Sequence, residues 1–157
     1  MILDALILQS KLFLSEDMDI SIKEVEINQA GQEKLILKDY TSMIGTGGKL
    51  NLMIVISFEK QLLDQLIELF MDGEEVDEEE QQEIIDSVAG EVINTIIGLA
   101  LPTFPHRGKG VTITPPITIN DASNIKKHKN SKLVSANIDT EFGSLSISAL
   151  GSEEAIH

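Results

Sequence analysis

The stretch SVAGEVINTIIG, residues 87–98, decides the fold, because its β-branched content suits a strand while its spacing suits a helix. β-Branching costs a helix up to about 0.7 kcal/mol per residue. Val92 with Ile93, and Ile96 with Ile97, are adjacent apolar pairs that a two-residue repeat cannot place on one face, so the helix wins. At about 100° per residue, Ile85, Val88, Ala89, Val92, Ile96 and Leu99 fall on one side. The same wheel gathers Glu80, Glu83, Ser87, Glu91, Asn94 and Gly98 on the other. Glu91 and Asn94, three residues apart, are then neighbours pointing away from a helix whose back is held in the core. A positioned carboxylate and amide need such rigid support if they act on something arriving from outside. Gly98 removes a side chain one turn beyond Asn94 and opens room for a close approach, at about 1 kcal/mol of helix stability relative to alanine. A stripe of Glu, Ser and Asn is also what an ordinary amphipathic helix shows to water, so the pattern alone assigns it no work.

Working outward, the helix spans about 78–101, with Asp77 and Glu80 as a capping pair, acidic residues at its N-terminus, and Pro102 at its end. FEKQLLDQLIELFM before it predicts a second long helix, about 58–72, with Leu62, Leu63, Leu66, Leu69 and Phe70 on one side. Ser57 is its expected cap, and Gly73 its stop. Further upstream the period falls to two. Ile20, Ile22, Val25 and Ile27 nearly alternate, NQAGQ and GTGGK supply turns, and KLILKDYTSMIG and LNLMIVIS read as strands. Residues 1 to about 15, with apolar positions Ile2, Leu6, Leu8, Leu12 and Leu14, read as an N-terminal helix. Downstream, GVTITPPITI, KLVSANIDTEF and SLSISAL are extended, and NDASNIKKHKN reads as a polar, basic surface loop. The order predicts an α+β fold, a mostly antiparallel sheet with two long helices and an N-terminal helix packed on it.

At 157 residues and 42% hydrophobic content, one core is the expectation, a single domain over residues 1–157. The formal net charge of −14 argues against a sequence-independent grip on nucleic acid and against an anionic membrane surface. The absence of cysteine excludes thiolate metal sites and cysteine nucleophiles. His106, His128 and His157 are scattered, so no metal site is expected, although His106 with Arg107 sits where a phosphate or partner would meet it. GTGGKL is too short for a phosphate loop and has Leu50 where a hydroxyl is required. Asp86 and Glu91 diverge on the helix and do not form an acid/base pair. MILDALILQSKLFL lacks a basic leading region, and no run approaches about 20 apolar residues. The expected setting is soluble and cytoplasmic.

Read as spacing, the central segment is Ser87, three residues, Glu91, two residues, Asn94, twenty-one residues, then Pro116. This resembles the (Asp or Ser)-x3-Glu-x2-Asn-x21-Pro signature of the CheC/CheX/FliY chemotaxis phosphatases. The extended segment, glycine turn, strand and helix of DYTSMIGTGGKLNLMIVISFEKQLLDQLIELFM are similar to the region before that signature, and together they cover about residues 38–120. The single copy of the signature resembles CheX rather than the two-site CheC arrangement, and the chain has no room for the extra domain of FliY. Two prolines in LPTFPHRGKG depart from the polar helical end more usual in CheX-type chains.

The resemblance implies a CheC-like fold and a phosphatase acting on the aspartyl phosphate of a CheY-type response regulator. Asn94 would orient the attacking water and Glu91 would pair with the regulator's lysine. Ser87 would support the site, with Gly98 beside it. Pro116 would shape the strand facing the helix, at an edge or bulge. The chain would need no metal of its own, the Mg2+ belonging to the regulator, and a homodimer joined through sheet edges is implied. The competing reading is a non-catalytic module of the same fold that docks a regulator or a motor component without hydrolysis.

Overall fold

The chain folds, in a computed structural model that describes residues 2–28, 33–120 and 122–156, into an N-terminal helix, four strands, two helices, five strands and a last short helical turn. The N-terminal helix α1 is Ile2–Leu12 and runs on into a π-helical turn at Phe13–Asp17. The first strands are β1 (Ile22–Asn28), β2 (Lys34–Ile36), β3 (Tyr40–Gly48) and β4 (Leu52–Phe58). Helices α2 (Lys60–Phe70) and α3 (Gln81–Ala100) follow. Then come β5 (Val111–Ile113), β6 (Ile117–Ile119), β7 (Asn124–Lys126), β8 (Ser131–Thr140), β9 (Gly143–Ser152) and the turn α4 (Glu153–Ile156). The α+β expectation holds. Among the described residues, seven strands form one antiparallel sheet in the order β1-β8-β9-β4-β3-β5, with β6 also on β3, while β2 and β7 pair as a separate ribbon.

Alternation along the central strands decides what covers each face. Ile54, Ile56 and Phe58 of β4, with Ile147 and Ala149 of β9, point into a core shared with α1, α2 and α3. On the opposite face, Val55 and Leu133 are covered by Leu35 of the β2–β7 ribbon and by Leu37 just after it. The layers are therefore helices, sheet and a small ribbon.

Several local expectations give way to tertiary contacts. Ser57 does not cap α2: its Oγ accepts from the Lys38 N–H at 2.6 Å, and the first N–H of the helix, on Lys60, is taken by Asp39 Oδ2 at 2.7 Å. Asp77 precedes the 3-10 turn at Glu78–Glu80 without a side-chain cap bond. The turn expected at GTGGK comes at its end: Thr46, Gly47 and Gly48 extend β3 to pair with β5, and the chain reverses into β4 at Gly48, with a left-handed φ of 80°, and Lys49. Leu8 and Leu12, expected inside, are 52% and 41% exposed; Leu3, Ile7 and Phe13 are buried in their place. The basic loop NDASNIKKHKN contains β7, which finds its partner only in β2. The turn expected at NQAGQ falls largely on residues 29–32, outside the described residues.

The continuous helical run Glu78–Thr103 is long and apolar enough to cross a membrane by length and composition. This departs from the expectation that no run approaches about 20 apolar residues. Half of its apolar window is buried within the protein, which is how a core helix meets the same test.

Candidate active site on helix α3

The site is carried by a helix anchored on one side only. Ile85, Val88, Val92, Ile93, Ile96 and Ile97 are buried, and each contributes about 1.5–3 kcal/mol when fully withdrawn from water. One assignment fails: Leu99, expected among them, is 50% exposed. The buried stripe drifts instead through Ile93, Ile97 and Ala100, since 3.6 residues per turn do not close on a three- or four-residue step. α2 ends at Phe70, before Gly73: the chain turns left-handed first at Asp72, with φ 52°, and then at Gly73, with φ 77°, whose N–H donates to the Glu68 carbonyl at 3.2 Å.

Glu80, Glu83, Ser87, Glu91, Asn94 and Gly98 are all exposed, as the wheel requires. Glu91 and Asn94 thus face solvent from consecutive turns of a supported rod. Thr95 Oγ1 donates to the Glu91 carbonyl at 2.8 Å, so that hydroxyl is committed to the helix. A Cβ on Gly98 would meet nothing within 4 Å, so packing within the chain does not require glycine there. The cleft of about 400 Å3 lined by Lys49, Asn51, His106 and Glu154 includes none of these residues. The stripe is an open surface, suited to a macromolecular substrate rather than an enclosed small molecule.

Pro116 lies beside this surface. Residues 114–116 interrupt an edge strand: Thr46 pairs with Ile113 and Met43 with Ile117, so three residues oppose two on β3, which is a bulge. Thr114 holds it, donating its N–H to the Gly45 carbonyl and accepting the Gly45 N–H on Oγ1, both at 2.9 Å. Pro116 has no N–H to lose, which suits it to that place. Its ring rests on Gly90 of α3, where an added Cβ would lie 3.1 Å from Pro116 Cγ. Gly90 is one turn before Asn94, so the twenty-one-residue gap becomes a contact beside the site.

Sequence reading missed Gly90, although a glycine on the buried flank of a helix signals a close approach. It also missed Asn120, whose Nδ2 lies 3.4 Å from Asp86 Oδ1, an atom that also accepts from Gln82 Nε2 at 2.9 Å. Asp86 is therefore tied to the chain just after β6. Ile117, next to Pro116, is 60% exposed and adds apolar surface on that strand. Among the described residues no group of His, Cys, Asp and Glu forms a metal-binding cluster, and His157 lies outside them.

The family model described as chemotaxis phosphatase CheX matches residues 40–139, more than half of the chain. The chain belongs to the CheX family. CheX from Desulfovibrio desulfuricans is similar in structure, with a TM-score of 0.80 at 18% identity, covering 96% of this chain and 99% of that one. A putative chemotaxis protein from Desulfovibrio vulgaris Hildenborough gives a TM-score of 0.75 at 19% identity, covering 96% of each chain. The CheX of a CheX-CheY-BeF3-Mg2+ complex from Borrelia burgdorferi gives 0.72 at 17% identity, covering 94% and 95%. At these identities the likeness is one of fold. A comparison with curated protein sequences gives no match.

Proposed function

We infer that this CheX-family chain hydrolyses the aspartyl phosphate of a CheY-type response regulator, with Asn94 positioning the water and Glu91 docking the regulator. The observation that carries the reading is the joint exposure of Glu91 and Asn94 on a helix fixed from behind. The complex of a structurally similar CheX with CheY supports the partner class.

Acyl phosphate hydrolysis depends on placing water in line with the phosphorus and on neutralising charge, more than on a covalent intermediate. The Asn94 amide both donates and accepts, so it can hold one water in a single orientation. Glu91 gains a charge-assisted bond to the regulator's lysine when the interface closes and excludes water. Ser87 supports the N-terminal edge of the contact. Gly98 leaves its C-terminal edge open, and Pro116 shapes the adjoining bulge. The Mg2+ belongs to the regulator. The chain works in the cytoplasm as a homodimer joined through sheet edges; β1, an edge strand with Ile27 48% exposed, offers such an edge.

The test is loss of phosphoryl label from purified receiver domains of the same organism. Asn94→Ala is expected to slow hydrolysis by roughly 10²- to 10³-fold while regulator binding persists, by analogy with removing one transition-state donor. Glu91→Ala is expected to weaken binding instead. Equal turnover by Asn94→Ala and wild type overturns the mechanism, and binding without label loss by wild type establishes the docking module.

A further inference from the structure

We propose that the Lys126–Lys127 rim of the β2–β7 ribbon, where it meets the sheet, is a docking surface for a short acidic peptide segment that carries an apolar side chain. The ribbon sits across the sheet from α3, since Leu35 and Leu37 close over Val55 and Leu133 while Ile54 and Ile56 face the helices. Its register places Lys34 directly opposite Lys126. Like charges facing one another across a strand pair are destabilising. Among the described residues no carboxylate lies within ion-pair distance of either lysine, and Lys127 has only the loosely placed Glu33, at 3.8 Å. The chain carries −14 net charge overall, yet Lys127 and Lys129 follow Lys126 within three residues. An anion bound between Lys34 and Lys126 relieves the repulsion that folding leaves.

Apolar surface adjoins the charge. Lys126 and Lys127 rim a cleft of about 260 Å3 with Met53 and Ile125 among its lining. Met53, on the sheet face beneath the ribbon, is 40% exposed. Inorganic anions have no use for such surface, whereas a carboxylate-rich segment with one apolar side chain uses both parts. Size selects as well. A membrane or a nucleic acid duplex extends well beyond the patch and meets the acidic remainder of the molecule, whereas a few residues of peptide stay within about one Debye length of the lysines.

The probe is a short fluorescein-labelled peptide alternating glutamate and leucine, titrated with the full chain and followed by anisotropy. Saturable binding that weakens with added salt is expected. Lys34→Gln with Lys126→Gln should weaken it about tenfold by removing both charges. Met53→Ser should weaken it several-fold, about the effect of losing one partly buried apolar side chain, with the salt dependence unchanged. Asn94→Ala, on the other face, should bind as wild type, so a failed phosphatase assay leaves this test intact. Lys126→Gln alone should raise the melting temperature of the free protein by about 1–2 °C, which also verifies folding. The proposal is overturned by absence of saturable binding, by binding that the lysine changes leave unmoved, or by tighter capture of phosphatidylserine vesicles or a DNA hairpin through the same lysines. Sedimentation in which Lys34→Gln with Lys126→Gln changes the association state of the chain overturns it too.

Discussion

Two glycines of α3 serve opposite purposes. Gly98 looks onto open space, so Gly98→Ala meets no steric obstacle and recovers up to about 1 kcal/mol of helix stability. If the space serves the regulator, the same change weakens regulator binding. A urea titration and a binding titration on one variant separate these effects, and stabilisation with unchanged affinity dissociates Gly98 from the site. Gly90 faces the Pro116 ring at a distance that leaves no slack for a branched side chain. Gly90→Val is expected to cost about 1–3 kcal/mol through overpacking, read from the urea midpoint. Pro116 is a stiff ring on a bulged edge, so if Asn94 positions the water the displaced strand should also slow hydrolysis. Periodicity identified the Glu91 and Asn94 face because burial on a helix repeats with its turn. The partner of Gly90 was hidden because Pro116 is twenty-six residues away along the chain.

At the scale of elements, helices and long strands followed the sequence where the apolar repeat was strong, and their ends did not. α2 shows why. Ser57 has the right chemistry for a cap and the right place in sequence, yet β4 holds it inside the sheet, within 2.9 Å of Thr41 Oγ1. Asp39, twenty-one residues from the helix start, accepts the orphan N–H instead. Asp39→Ala is therefore expected to cost about 1 kcal/mol, the usual loss on removing a capping oxygen, measured by chemical unfolding. The strand β7 was unreadable for a related reason. Its three residues carry no alternation of their own, and pairing with β2 supplies the missing hydrogen bonds.

Across the whole molecule, contacts distant in sequence also set a pH response. Glu59, just before α2, accepts hydrogen bonds from the Ser144 hydroxyl and from the Ser144 N–H, the latter at 2.9 Å. The hydroxyl bond chiefly holds the Glu59 carboxyl below its ordinary value of 4.5; partial burial opposes this, and the N–H and Lys38 assist. A lowered folded-state pKa means stabilisation that is present above 4.5 and is lost as pH falls through the folded value. Glu59→Gln should therefore narrow the difference between urea midpoints at about pH 6 and about pH 3.5, and only modestly, since the residue is largely exposed and solvent screens it. The sequence by itself determined the class of fold, the course of α3 and which of its residues meet water, because local periodicity and the burial of apolar side chains are one property. Only the tertiary structure decided what stands beside that face: the Pro116 bulge on Gly90, the Asp39 cap and the facing lysines of the ribbon. Each joins residues that chain order separates, and a hydrogen bond, ring contact or charge pair depends on distance in space, which spacing along the chain does not encode.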